Sequence, residues 1–193
     1  LNQTDQAASM QSEGNIELIV PILKGTSHAS TRGQPFDLAP EDSPVAQAFA
    51  ADILVLYALN FPDRLQYITQ RDLANIGMSV AQLHAKAIEN IPRHITEIKL
   101  QDLGGGMYGV TCGGTMEASL LLLEPIWEQL TSALPGIPLA AAPARDLLCI
   151  IGSKQPNSLS RIKQAASINL ADPNLEISRT VLSRENGKWD KCR

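Results

Sequence analysis

The sequence predicts an α+β fold: a mainly antiparallel sheet built from hairpins, with helices packed on it. Two observations carry this expectation. Strand-strand-helix units follow one another in series, over residues 52–91, 96–134 and 139–170. Within each unit the strands are joined by a few residues rich in Gly, Asn, Pro, Arg or Asp, which suits hairpins and not the long crossovers that parallel strands need. Hairpins followed by helices place those helices on one face of the sheet. A regular strand-helix-strand series is missing, which disfavours a doubly wound nucleotide fold. Side-chain identity between the units is negligible, so they are not a sequence repeat.

The elements read as follows. Residues 1–14 lack periodicity and are expected to be a flexible N-terminal segment, with a single domain over 15–193. Residues 15–23 are rich in Ile and Val, and Pro21 points to an edge strand or a bulge. Residues 25–43 read as a long loop. Residues 44–51 read as a short helix capped by Ser43. Residues 52–59 are the clearest buried strand, and 65–69 pair back on it after the turn at 60–64. Thr69 caps a helix over 70–76 that Gly77 ends. Ser79 and Gln82 form a capping box for the next helix. Its Val80, Leu83, Ala87 and Ile91 share one face, and Pro92 prevents continuation.

Residues 96–103 and 107–112 form a second hairpin around three glycines. In the following helix Leu120, Leu123, Trp127, Leu130 and Leu134 fall on one stripe. Pro125 either kinks that helix or breaks it and opens a second one. Residues 139–144 and 147–151 bracket Arg145-Asp146 as a third hairpin. A helix over 158–170 turns Leu159, Ile162, Ala166 and Leu170 inward. Residues 177–183 form a last strand, and Asn186-Gly187 turns it toward 188–190.

Composition excludes several classes. The 193 residues are 44% hydrophobic and 19% charged, a globular balance. A net charge of −4 argues against a general nucleic-acid binder, and 4% aromatic content against base-stacking platforms. No stretch reaches the roughly 20 apolar residues that span a bilayer, so no membrane is expected. The polar N-terminus has no signal-peptide core. Cys112, Cys149 and Cys192 are odd in number and lack metal-site spacing, which points to small hydrophobes at 112 and 149, a tail residue at 192 and a cytoplasmic location.

The stretches ADILVLYAL, YITQRDLANIGMSVAQLHAKAIEN, CGGTMEASLLLLEPIWEQL and PLAAAPARDLL occur in that order. Their combination of a glycine pair, a Glu-Ala-Ser-Leu run, a Trp and a Pro-x-Arg-Asp turn resembles the YtpQ-like family of uncharacterised bacterial proteins (domain of unknown function 1444). The resemblance covers about residues 50–183. It implies a cytoplasmic bacterial domain without an established activity, so no family active site is carried over. Pro125 and Asn60 depart from the family pattern, the latter where members tend to carry Asp.

Candidate chemistry gathers at Glu117, Arg145, Asp146 and His84. Arg145 can present a guanidinium to a carboxylate or phosphate. The structural alternative pairs it with Glu117 or backbone carbonyls while Asp146 caps the turn. Glu117 and Asp146 can form an acid/base pair if they come within hydrogen-bond reach, and helix capping explains Glu117 equally well. Gly113-Gly114-Thr115 can hold an anion or simply make a tight turn. His84 lies beside an apolar stripe and reads as a hydrogen-bonded core residue. None of His28, His84 and His94 has a second His or Cys at helical spacing, so no metal or cofactor is expected.

Three functions follow. The first is a non-catalytic protein- or ligand-binding adaptor domain with a protein partner or a homodimeric contact. The second is an enzyme acting on a small anionic substrate with Glu117, Arg145 and Asp146 at its site. The third, resting on α+β layout alone, is a contact-dependent immunity or chaperone-like partner.

Overall fold

The computed structural model describes residues 16–26 and 39–193. The expected flexible segment 1–14, His28 and most of the expected loop at 25–43 lie outside the described residues. The fold is α+β, with two antiparallel sheets. Contacts group the described residues into two compact units, one of residues 16–22, 39–47 and 56–94, the other of 23–26, 48–55 and 95–193.

The first sheet holds β1 (Ile19–Gly25), β2 (Ala46–Ala50), β3 (Ile53–Asn60) and β4 (Leu65–Tyr67). Its order is β1-β3-β2, with β4 also on β3. The proline-bearing strand β1 is at the edge, where a missing N–H costs no ladder bond. Strand β3 is central, and its Val55, Leu56, Tyr57 and Ala58 are buried. Asn60 pairs with Leu65 at the base of the β3–β4 hairpin. The helix expected over 44–51 is instead strand β2. Pro44 bridges Thr69, and the Val45 N–H donates to Ile68 O at 2.8 Å. The helix preference of its alanines amounts to a few tenths of a kcal/mol per residue and yields to ladder pairing.

In the first unit, α1 (Gln70–Ile76) has both arms of a Thr69–Asp72 capping box, and Gly77 ends it at φ 72°. Helix α2 (Val80–His94) begins at the expected Ser79–Gln82 box. Leu83, Ala87 and Ile91 are buried along it. Pro92 lies inside α2 and does not stop it. Within the last turn a proline costs a single intrahelical bond, so the terminal residues still close.

The second unit is built on a six-stranded sheet of order β10-β9-β7-β8-β6-β5. Its strands are β5 (Lys99–Asp102), β6 (Met107–Thr111), β7 (Pro138–Ala144), β8 (Leu147–Gly152), β9 (Val181–Glu185) and β10 (Lys188–Lys191). The hairpins β5–β6, β7–β8 and β9–β10 match expectation. The helix expected after Gly114 is broken. A short 3-10 turn (Ala118–Leu122) ends at Leu123, and α3 (Glu124–Ala133) starts with Pro125 in its first turn. There the proline's missing N–H would have had no partner anyway. The last helix, α4 (Ser158–Ala166), ends before the expected Leu170, and Leu159 is exposed.

The helices of this unit do not share one face. Leu139, Ala141, Cys149, Ile151 and Val181 form a buried cluster with Ile162 and Ala166 of α4. Alternation along the strands sends Ala140, Ile150, Leu182 and Arg184 to the opposite face. On that side Glu124 of α3 pairs with Arg184. Trp127 meets Trp189 edge-on, with ring centroids 4.7 Å apart. Both faces of β7 are therefore covered, and all seven of its residues are buried. A strand so placed reads as a continuous apolar run, here Leu139 and alanines, and not as an alternation.

Candidate functional site

The segment joining β6 to the 3-10 turn is organised by one buried carboxylate. Glu117 is 1% exposed. Its Oε1 accepts the Cys112 N–H at 2.9 Å and the Gly114 N–H at 2.6 Å. Gly114 has φ 83°, a left-handed conformation that turns its amide inward at little steric cost. The anion at the Gly113-Gly114 turn is thus the chain's own side chain. Glu117 Oε2 is buried without a hydrogen-bond partner. Burial, then the Glu117 charge and its hydrogen bond, push the Cys112 thiol up to about 12. A thiol held that high is a poor nucleophile at neutral pH.

Backbone bonds bring the next candidate alongside. The Ala118 N–H donates to Arg145 O at 3.1 Å, and the Arg145 N–H donates to Leu175 O at 3.0 Å. The β7–β8 turn is thereby held between the 3-10 turn and the segment before β9. Neither Glu117 nor Arg145 forms an ion pair among the described residues, so the expected Arg145–Glu117 salt bridge is not present. Asp146 is exposed at the tip of the turn.

The Arg145 side chain is partly buried, and its Nε has no hydrogen-bond partner. Lys24, at the end of β1, lies near enough to feel it. Burial first, and Arg145 second, hold the Lys24 ammonium below its ordinary range, against a raising effect from Asp172. Lys24 Nζ donates to the neutral Asn174 O at 3.1 Å. Two cations therefore share one partly buried corner. Lys24 was not among the candidates drawn from sequence. It is separated from Arg145 by most of the chain, and its only local signal is a lone charge closing an apolar strand.

His84 belongs to the first unit. The Tyr57 hydroxyl donates to Gln47 Oε1 at 2.6 Å and lies 2.9 Å from His84 Nδ1. With its proton directed at Gln47, the hydroxyl oxygen is placed to accept from the Nδ1–H tautomer of His84. Burial lowers the His84 pKa and raises that of Tyr57 to about 12. The same unit holds a second, unforeseen network. Asn60 Nδ2 donates to His94 Nδ1 at 3.2 Å, so His94 Nε2–H faces Glu17 O at 2.8 Å. Asn90 is fully buried and donates to Ile16 O and Ile19 O, tying α2 to the start of β1. Glu117, Arg145 and Asp146 thus lie in the second unit and His84 in the first. Among the described residues, no three His, Cys, Asp or Glu side chains gather as metal ligands would.

Fold and site together define a two-sheet α+β protein whose most distinctive polar feature is a carboxylate buried on backbone amides beside an under-partnered arginine. The chain is similar to a UPF0354 protein of Bacillus cytotoxicus, at 22% identity over 191 residues, which is 97% of this chain and 68% of that protein. This similarity supports an uncharacterised bacterial family. No protein-family model matches the chain. No solved structure matches it either. Among the described residues, no helix is long and apolar enough to cross a membrane.

Proposed function

We propose that this chain is a non-catalytic binding domain of a bacterial cytoplasm, related to the YtpQ-like family, and that it docks an anionic group of its partner at Arg145 and Lys24. Residues 15–193 then work as one domain, and neither nucleic acid nor membrane is its target. One observation carries the reading: a partly buried guanidinium with an unpartnered Nε beside a lysine that donates to a neutral carbonyl. Two such groups are fully satisfied by a carboxylate, which accepts from both. Glu117 supports the reading because its bonded oxygen already serves two amides.

The test is calorimetric titration of the full chain with a short Glu-rich peptide. Binding is expected, with Arg145→Gln and Lys24→Gln each weakening it by about ten-fold or more, the worth of one charge-assisted hydrogen bond. Folded variants that bind as tightly as wild type would overturn the reading. A second reading, an enzyme acting on a small anionic substrate with Glu117, Arg145 and Asp146, is favoured by the unpartnered Glu117 Oε2. In that case Glu117→Gln keeps affinity for the substrate but loses turnover, whereas tight binding without turnover by wild type removes the enzyme.

A further inference from the structure

A second basic feature lies apart from Arg145 in the same unit. A cleft of ≈ 430 Å³ is lined by Lys163, Ser167, Arg179, Thr180, Lys191 and Cys192, with Val181 also on its wall. Its cations come from three places: α4, the segment before β9, and the end of β10. Among the described residues, Lys163 and Lys191 form no ion pair, while Arg179 Nε donates to Glu176 Oε1 at 3.1 Å. The helix dipole accounts for Lys163 alone, since it stands in the last turn of α4 where a cation is favoured. It gives no reason for Arg179 and Lys191 to converge on the same opening. In a chain of net charge −4, three cations facing one acidic partner form a local excess of positive charge.

We propose that this cleft binds a small phosphorylated molecule. A phosphate group carries a charge of about −1.5 to −2 and three acceptor oxygens. The lining offers two ammonium groups, a guanidinium and the hydroxyls of Ser167 and Thr180. Those donors outnumber what a single carboxylate can accept and suit a phosphoryl group. The volume falls in the range of small-molecule sites, about 300–1,000 Å³. Three cations are too few to hold a long polyanion strongly, because its affinity depends on the number of phosphates neutralised. Val181, at the sheet end of the cleft, offers apolar contact to the rest of the ligand.

The probe is inorganic pyrophosphate, titrated calorimetrically into the full chain at low ionic strength. Wild type is expected to bind with Kd of about 1 mM or tighter. The double variant Lys163→Ala/Lys191→Ala, both at exposed positions, is expected to weaken binding by about ten-fold or more. Lys188→Ala removes an exposed charge on the same β10 and should leave the affinity unchanged, as should Arg145→Gln, which separates this site from the Arg145–Lys24 corner. No binding by wild type, or an equal loss with Lys188→Ala, overturns the proposal. So does an oligonucleotide that binds more tightly than pyrophosphate, which would assign the cleft to a polyanion.

Discussion

Removing the Glu117 side chain should cost more than any other single change at the β6–3-10 junction. Glu117→Ala leaves the Cys112 and Gly114 N–H groups without the oxygen they share. An unsatisfied buried donor costs about 1–3 kcal/mol, which applies in full to the buried Cys112 N–H and only in part to that of the exposed Gly114. The buried, unpartnered Oε2 works the other way, because deleting it relieves a desolvation penalty. Gly114 is also near enough to the surface to recruit water. A net loss of about 2–4 kcal/mol is expected. Glu117→Gln keeps an amide oxygen for both donors and should lose about 1–2 kcal/mol, the gap between charge-assisted and neutral bonds. Urea unfolding followed by tryptophan fluorescence measures both. The Cys112 thiol gives an independent signal. In the Gln variant its titration should move down from about 12 yet stay above the ordinary 9.0, because burial is the larger cause. An Ala variant within about 0.5 kcal/mol of wild type, or a Gln variant as unstable as the Ala one, would refute this account.

Two further outcomes can be checked on the same preparations. Trp127 is fully buried and stacks edge-on with Trp189, so Trp127→Ala should destabilise by about 3–5 kcal/mol, read as a lower urea midpoint and loss of the near-ultraviolet signal of the pair. His84 is held below its ordinary 6.5 by burial, so its contribution to stability is fully present above 6.5 and is lost as pH falls through the lowered folded value. The urea midpoint should drop between about pH 7 and pH 5, and His84→Gln should flatten that drop.

Much of the architecture was legible in the sequence where local chemistry alone decides the structure. The Thr69 cap, the Ser79–Gln82 box, the Gly77 stop, the Asn186-Gly187 turn and the β7–β8 hairpin each rest on residues a few positions apart. The errors came where distant partners decide. Residues 46–50 have helix-forming alanines and became a strand because β3 and the 68–69 backbone offered pairing. The covering of both faces of the six-stranded sheet depends on α3 and α4 choosing opposite sides, which no local pattern encodes.

The site divides the same way. Glu117 and Arg145 were identifiable as a charge at a glycine turn and a charge at a hairpin tip. That Glu117 would turn back onto two amides instead of pairing with Arg145 follows from the left-handed Gly114 and the break at Leu123. Lys24 and the Lys163–Arg179–Lys191 cleft draw on charges that no local pattern singles out, and only their convergence in space distinguishes them. Hydrogen-bond chemistry and turn preferences act over a few residues, so the sequence by itself determined the hairpins, the caps and the α+β class. Burial and Coulomb interactions act through space, so only the tertiary structure decided which charges are satisfied within the fold and which are not.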